Sequence, residues 1–202
     1  MAIKIANDAS VDATSEQYWP PPQGKWTYDD YARLPDHGVR YEVIEGELVM
    51  TPAPRPKHQK VSLNLMFALE QFVRSRQLGE VYVAPIDVNL PGLASPVQPD
   101  LLFITTDRLD IIKEKFIEGA PDLIIEVLSA GSEMHDRRTK FELYARAGVR
   151  EYWLVDPDGR TIEIFVLRGQ AYAPLGNFDS DGQTRSEVLP DFTVTVGKIC
   201  PA

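Results

Sequence analysis

From Lys57 to Leu78 the apolar residues fall at positions 61, 65, 68, 69, 72 and 73, the spacing of a single helical face, and Gly79 follows as a stop. Upstream, Thr27-Tyr28-Asp29-Asp30 places a hydroxyl ahead of acids, which predicts a short helix from Tyr28 to Leu34 ended by Pro35. Tyr41 to Met50 alternates around Glu45-Gly46 and reads as a hairpin. Downstream come three strand runs, Glu80 to Leu90, Val97 to Thr105 and Asp122 to Ser129, with Arg108 to Glu118 as a short helix or an irregular lid. Ser132 can cap a second helix, Glu133 to Ala147, closed by Gly148. Strands Glu151 to Val155 and Thr161 to Leu167 meet at the turn Asp156-Pro157-Asp158-Gly159. Beyond Gly169 lie a turn-rich stretch, 176–182, and a strand-like Phe192 to Val196. The order from Lys57 is helix, three strands, helix, strand, which predicts an α/β fold whose central sheet takes a helix on each side. Residues 1–24 are polar and then proline-rich and are expected to be a flexible tail, leaving 25–202 as a single domain with its core at about 57–167.

Composition narrows the chemistry. The chain has 202 residues and a net charge of −9, which counts against non-specific polyanion binding but leaves room for a local basic groove. Its one cysteine, Cys200, excludes disulfides within the chain and cysteine-based zinc sites. No apolar run approaches the ~20 residues that span a bilayer, and the first residues lack the apolar centre of a signal peptide, so a cytoplasmic location is expected.

Asp122-Leu123-Ile124-Ile125-Glu126-Val127-Leu128 is an almost continuous apolar run, as in a strand buried on both faces, with one carboxylate inside it. A lone buried carboxylate costs several kcal/mol unless it is paired, protonated or bound to metal. Asp100, after Pro99, stands where the preceding core strand begins. Two carboxylates on neighbouring strands can share one hard cation, an arrangement suited to metal-assisted hydrolysis. The structural alternatives are an ion pair for Glu126 and a turn-stabilising role for Asp100.

Several blocks carry a family resemblance: Arg40-Tyr41-Glu42, Gly46-Glu47-Leu48, His58-Gln59, Pro99-Asp100-Leu101, Pro121-Asp122-Leu123, Glu126-Val127-Leu128-Ser129, Tyr144 to Val149 and Glu151 to Pro157. In order and spacing this set resembles the Uma2 family within the PD-(D/E)xK nuclease superfamily. The resemblance implies a restriction endonuclease-like αβββαβ core, a central mixed sheet flanked by helices, preceded by the helix and hairpin. It also implies a Mg²⁺-dependent endonuclease acting on DNA, with Mn²⁺ as a substitute ion, RNA as another candidate substrate, and a homodimer for cutting two strands. Asp100, Glu126 and the Val127 carbonyl would then hold the metal.

One position departs from the superfamily pattern. The motif lysine belongs two residues after the Glu, where this chain has Leu128. Lys140 on the second helix is the substitute that the resemblance implies, and it shares a face with Asp136 and Tyr144; a plain salt bridge to Asp136 is the other reading. Glu47 is the candidate auxiliary acid, although Glu42, Glu45 and Glu47 alternate and can equally face water. His58 is assigned to phosphate contact or to helix capping, and Arg137 and Arg138, with Lys57, Lys60, Lys113 and Lys115, to the nucleic-acid backbone. The rival function is a nuclease-fold protein without useful catalysis that serves as a nucleic-acid or protein interaction module. The sign of charge around Asp100 and Glu126 separates the two.

Overall fold

The strands form two sheets, the predicted central one and a second that contains the hairpin. The computed structural model describes residues 19–35, 38–129 and 131–201. In chain order the elements are α1 (Tyr28–Tyr31), β1 (Arg40–Ile44), β2 (Glu47–Thr51), α2 (Pro56–Arg76), β3 (Gly79–Val83), β4 (Val88–Leu90), β5 (Ala94–Val97) and β6 (Leu101–Thr105). A 3₁₀ segment (Thr106–Ile111), β7 (Ile117–Glu118) and β8 (Leu123–Val127) follow. A π-helical segment (His135–Lys140) then runs into α3 (Phe141–Ala147), and β9 (Glu151–Asp156), β10 (Thr161–Arg168), β11 (Ala171–Phe178) and α4 (Val196–Ile199) complete the fold. The five-stranded sheet is ordered β2-β1-β5-β4-β7 and the six-stranded sheet β11-β10-β9-β8-β6-β3. Both are mixed, through the parallel pairs β4/β7 and β8/β9.

Strand alternation explains how the six-stranded sheet is covered on both faces. Leu101, Phe103, Leu123, Ile125, Trp153 and Val155 meet Val61, Leu65, Leu69 and Val73 of α2. On the opposite face Leu102, Ile104, Ile124, Tyr152 and Leu154 meet Leu143 and Tyr144 of α3 and, from the other sheet, Ile44, Val88, Leu90 and Val97. The predicted helix on each side is therefore present, and the second sheet is an addition to it.

Where local boundaries differ from the sequence reading, proline and glycine chemistry accounts for most of the difference. Glu80 to Leu90 divides into β3 and β4 around Pro85, and Val97 to Thr105 divides around Pro99; neither proline has an amide for a ladder. The left-handed stop of α2 is Gln77 (φ 55), not Gly79. Gly79 instead starts β3 at a place where a Cβ would lie 1.9 Å from the Ile104 carbonyl oxygen. Strand β11 carries Pro174 and Gly176, which hid it, and it is tolerated as the sheet edge. Phe192 to Val196 makes only an isolated bridge, Gln183 to Thr195, before α4. Helix α1 stops at Tyr31, one turn after the capping box formed by Thr27 and Asp30.

Of the expected tail, residues 1–18 lie outside the described residues. Residues 19–24 are held in place rather than loose. The Trp19 ring packs edge-on against Trp26 at 5.8 Å, Pro21 is buried, and the Gln23 side chain both donates to and accepts from Leu48.

Candidate active site

β6 begins immediately after Asp100, and β8 runs antiparallel beside it with Leu101 opposite Ile125, so the two predicted carboxylates arrive together. Asp100 is fixed through one oxygen: its Oδ2 accepts the Val127 amide at 2.9 Å and His58 Nε2 at 3.0 Å. His58 is in the first turn of α2, and the Ser62 hydroxyl one turn on donates to its carbonyl at 3.0 Å. Glu126 points to the α3 side, where its Oε1 accepts Lys140 Nζ at 3.0 Å and the Tyr144 hydroxyl at 2.8 Å.

Lys140 meets more than one acid. It also lies 3.0 Å from Glu42 Oε1 and 3.7 Å from Asp136 Oδ1, and all three acids, like Lys140 itself, are buried. The Glu42 carboxylate accepts the Gln98 amide as well, at 2.8 Å. Glu42, Glu126 and Asp136 thus bring three carboxylates to one ammonium, while Asp100 pairs with His58, and His135 lies 3.9 Å from Glu42. Burial, followed by the neighbouring Lys140 charge, holds the His135 imidazolium below its ordinary pKa, which favours the neutral ring. Burial pushes the Glu126 carboxyl well above its usual range, with repulsion from Asp136, Asp100 and Glu42 adding to it and Lys140 opposing. Asp136 is raised for the same first reason. Burial works against the Lys140 charge, yet Glu126, Glu42 and Asp136 more than offset it and the ammonium pKa rises. Tyr144 is likewise raised by burial and the surrounding acids, so it stays a hydrogen-bond donor.

His58, Asp100, Glu126, Asp136 and Lys140 floor a cavity of about 170 Å³. One wall is the base of the hairpin, Arg40, with the Thr51–Arg55 connection, and the other holds Ser129, Gly131 and Ser132. The floor is acidic and the rim carries Arg40 and Arg55. Among the described residues no group of three or more His, Cys, Asp or Glu forms a ready-made metal cage. The donor set still suits a hard cation, because two carboxylates with oxygens at the cavity are what Mg²⁺ takes from a protein.

The predicted residues divide clearly. Asp100, Glu126, Val127, Lys140 and His58 are brought together. Glu47 is not: it is exposed at the start of β2, next to the hairpin turn, and the acid that reaches Lys140 is Glu42. Glu42 could have been found from sequence by its place directly before Val43-Ile44, an acid in a buried run just as Glu126 is. Arg137 is committed to Glu133 (3.0 Å) and Glu163 (2.7 Å), and Arg138 is exposed; neither lines the cavity, and Lys113 is tied to the Asp110 carbonyl. Sequence reasoning did not single out Arg55, or assign a role to Arg40.

A crystal structure described as a putative nuclease belonging to DUF820, from Anabaena variabilis ATCC 29413, superposes with a TM-score of 0.72 at 19% identity, covering 86% of this chain and 97% of that one. This likeness shows a shared fold. No curated protein matches the chain. No helix among the described residues is long and apolar enough to cross a membrane. The family model described as "Uma2: Putative restriction endonuclease" matches residues 28–197, a span that runs from α1 into α4 and contains every residue of the cavity, and the chain belongs to that family.

Proposed function

We propose that this protein hydrolyses phosphodiester bonds of DNA with the help of a divalent cation, Mg²⁺ first and Mn²⁺ as a substitute. The observation that carries this reading is the convergence of Asp100, Glu126 and Lys140 in one small cavity, with both carboxylates and the ammonium lining it. Asp100, Glu126 and the Val127 carbonyl are the groups that would hold the ion. A bound ion of this class lowers the pKa of a water and stabilises charge on a phosphoryl oxygen.

The chain's own groups do the rest. The Val127 amide and His58 hold Asp100 in one orientation, and Tyr144 does the same for Glu126. Lys140, kept protonated by its three acids, supplies fixed positive charge beside the phosphate, where it opposes the negative charge that builds during attack. Glu42 holds the ammonium in that position, as the auxiliary acid of the site. A water attacks phosphorus in line and gives up a proton to solvent, the bond to the leaving 3′ oxygen breaks, and that oxygen takes a proton from solvent. A homodimer is the assembly that cutting both strands calls for.

The test is calorimetric titration with Mg²⁺ and Mn²⁺ of wild type, Asp100→Ala and Glu126→Ala, paired with cleavage of plasmid DNA and competition by RNA. Ion binding and cleavage are both expected to disappear in each variant. Cleavage that survives both substitutions, or no cleavage of DNA with either ion, overturns the proposal.

A further inference from the structure

The cavity is anionic at its floor in a protein that is anionic overall, so the attraction for a polyanion has to come from particular residues at the rim. The arginines show which. Arg33 and Arg76 lie over the rings of Trp19 and Phe72, Arg160 and Arg185 donate to backbone carbonyls, and those that remain, apart from Arg40, Arg55 and Arg138, bridge to carboxylates. Among the described residues Arg40 and Arg55 have no ion pair and no side-chain hydrogen bond, and both line the carboxylate cavity. They share a wall: Arg40 is the register partner of Thr51, and the Thr51–Arg55 connection carries the second guanidinium to the start of α2.

The cavity also continues. A second hollow of about 360 Å³ shares Arg55, His58 and Ser129 with the first and extends past Lys57 to Pro157 and Asp158. Here Lys57 is held at 2.9 Å by the exposed Asp158 carboxylate, which cancels its charge. The first hollow is smaller than the roughly 300–1,000 Å³ of pockets that enclose a drug-sized molecule, so it admits a phosphate with a few waters and not a nucleoside.

From these observations we propose that Arg40 and Arg55 are a guanidinium clamp for a backbone phosphate, with the strand continuing along the second hollow past Lys57. Recognition between these two arginines, in the first hollow, is therefore of the phosphodiester backbone, without reading of bases. This inference rests on the nuclease reading for its choice of ligand. Guanidinium suits the task because its planar fork takes two oxygens of one phosphate.

The experiment is equilibrium binding of short labelled duplexes of several sequences to the full chain, by fluorescence anisotropy across a salt series, with Ca²⁺ in place of Mg²⁺. Arg40→Ala and Arg55→Ala are each expected to weaken binding about tenfold and to lower the slope of log affinity against log salt by about one, equally for all sequences. Arg168→Ala, on β10 and paired with Glu187, is expected to change nothing. Asp158→Asn, which frees Lys57, is expected to tighten binding severalfold. A double variant, Arg40→Ala with Arg55→Ala, that binds like wild type overturns the clamp, and does so without touching the nuclease reading if wild type cleaves. A loss confined to particular sequences overturns the backbone role. Wild type that binds no duplex overturns both, whereas binding that depends on the two arginines without any cleavage supports the clamp and overturns hydrolysis.

Discussion

Glu126 and Lys140 hold each other in a place from which water is almost excluded, yet they are not equivalent. Lys140 is the single ammonium among three carboxylates, whereas Glu126 is one acid among those three. Glu126→Gln leaves an amide oxygen for Lys140 and Tyr144 and leaves Glu42 as the ion-pair partner, so it removes a poorly compensated charge. Its expected outcome is loss of divalent-ion binding and of cleavage with thermal stability unchanged or higher, read by calorimetry beside a melting curve. Lys140→Ala does the opposite, leaving Glu42, Glu126 and Asp136 to repel one another. It is expected to cost about 3–5 kcal/mol of stability, partly restored by added Mg²⁺ through preferential binding to the folded chain, and to lower turnover by ~10²-fold or more. A Lys140→Ala protein that loses stability but turns over like wild type would return this lysine to the role of an ordinary salt-bridge partner.

At the level of elements, Asp122 ties the strands that deliver the site. Fully buried between β7 and β8, its carboxylate accepts the Thr105 amide at 2.9 Å and hydroxyl at 3.0 Å, Arg108 at 2.9 Å and Arg150 at 3.2 Å, which fastens the ends of β6, β8 and β9 together. Burial alone would raise its pKa, but the Thr105 amide and Arg108 reverse this and hold the carboxyl below its ordinary 3.8. A group depressed on folding stabilises the protein above its unfolded-state value and loses that contribution as pH falls through the folded one, so the loss comes below about pH 4. Asp122→Asn is expected to lower stability at neutral pH by about 2 kcal/mol and to flatten the acid limb of a stability-against-pH profile. Elements also set what was legible in the sequence. Helix α2, the hairpin and β8 announce themselves by period, and Asp100 and Glu126 follow because acids beside or within apolar runs are conspicuous. Glu42 was legible as an acid beside an apolar pair but was grouped with Glu45 and Glu47, although the Glu45-Gly46 turn places it and Glu47 on separate strands, so their alternation does not make one face. The π-helical segment has no local marker: its backbone is shaped by tertiary contacts, among them the Tyr152 hydroxyl on the Asp136 carbonyl at 3.1 Å and Lys140 on acids from β1 and β8.

For the whole molecule, the site exists only where the two sheets meet. Glu42 comes from the five-stranded sheet, Glu126 from the six-stranded one, and Lys140 bridges them, while Ile44, Val88, Leu90 and Val97 pack on Leu102, Ile104 and Ile124 beneath. Sheets joined through one apolar layer and one ionic cluster are expected to unfold together. The tryptophans can report this separately. Trp19 and Trp26 pack by the hairpin of the five-stranded sheet, and Trp26 donates its amide to the Gly46 carbonyl at 3.0 Å. Trp153 is buried in the six-stranded sheet with its Nε1 donating to Glu151 at 2.7 Å. In a Trp19→Phe, Trp26→Phe variant all tryptophan fluorescence comes from Trp153, whereas circular dichroism sees every strand and helix. Urea transitions from the two signals are expected to coincide, as a single domain requires. If Trp153 stays folded while part of the dichroism is already lost, the five-stranded sheet is a separate unit. The Glu42–Lys140 contact would then break and reform without global unfolding, and cleavage would fail at urea concentrations that leave Trp153 untouched.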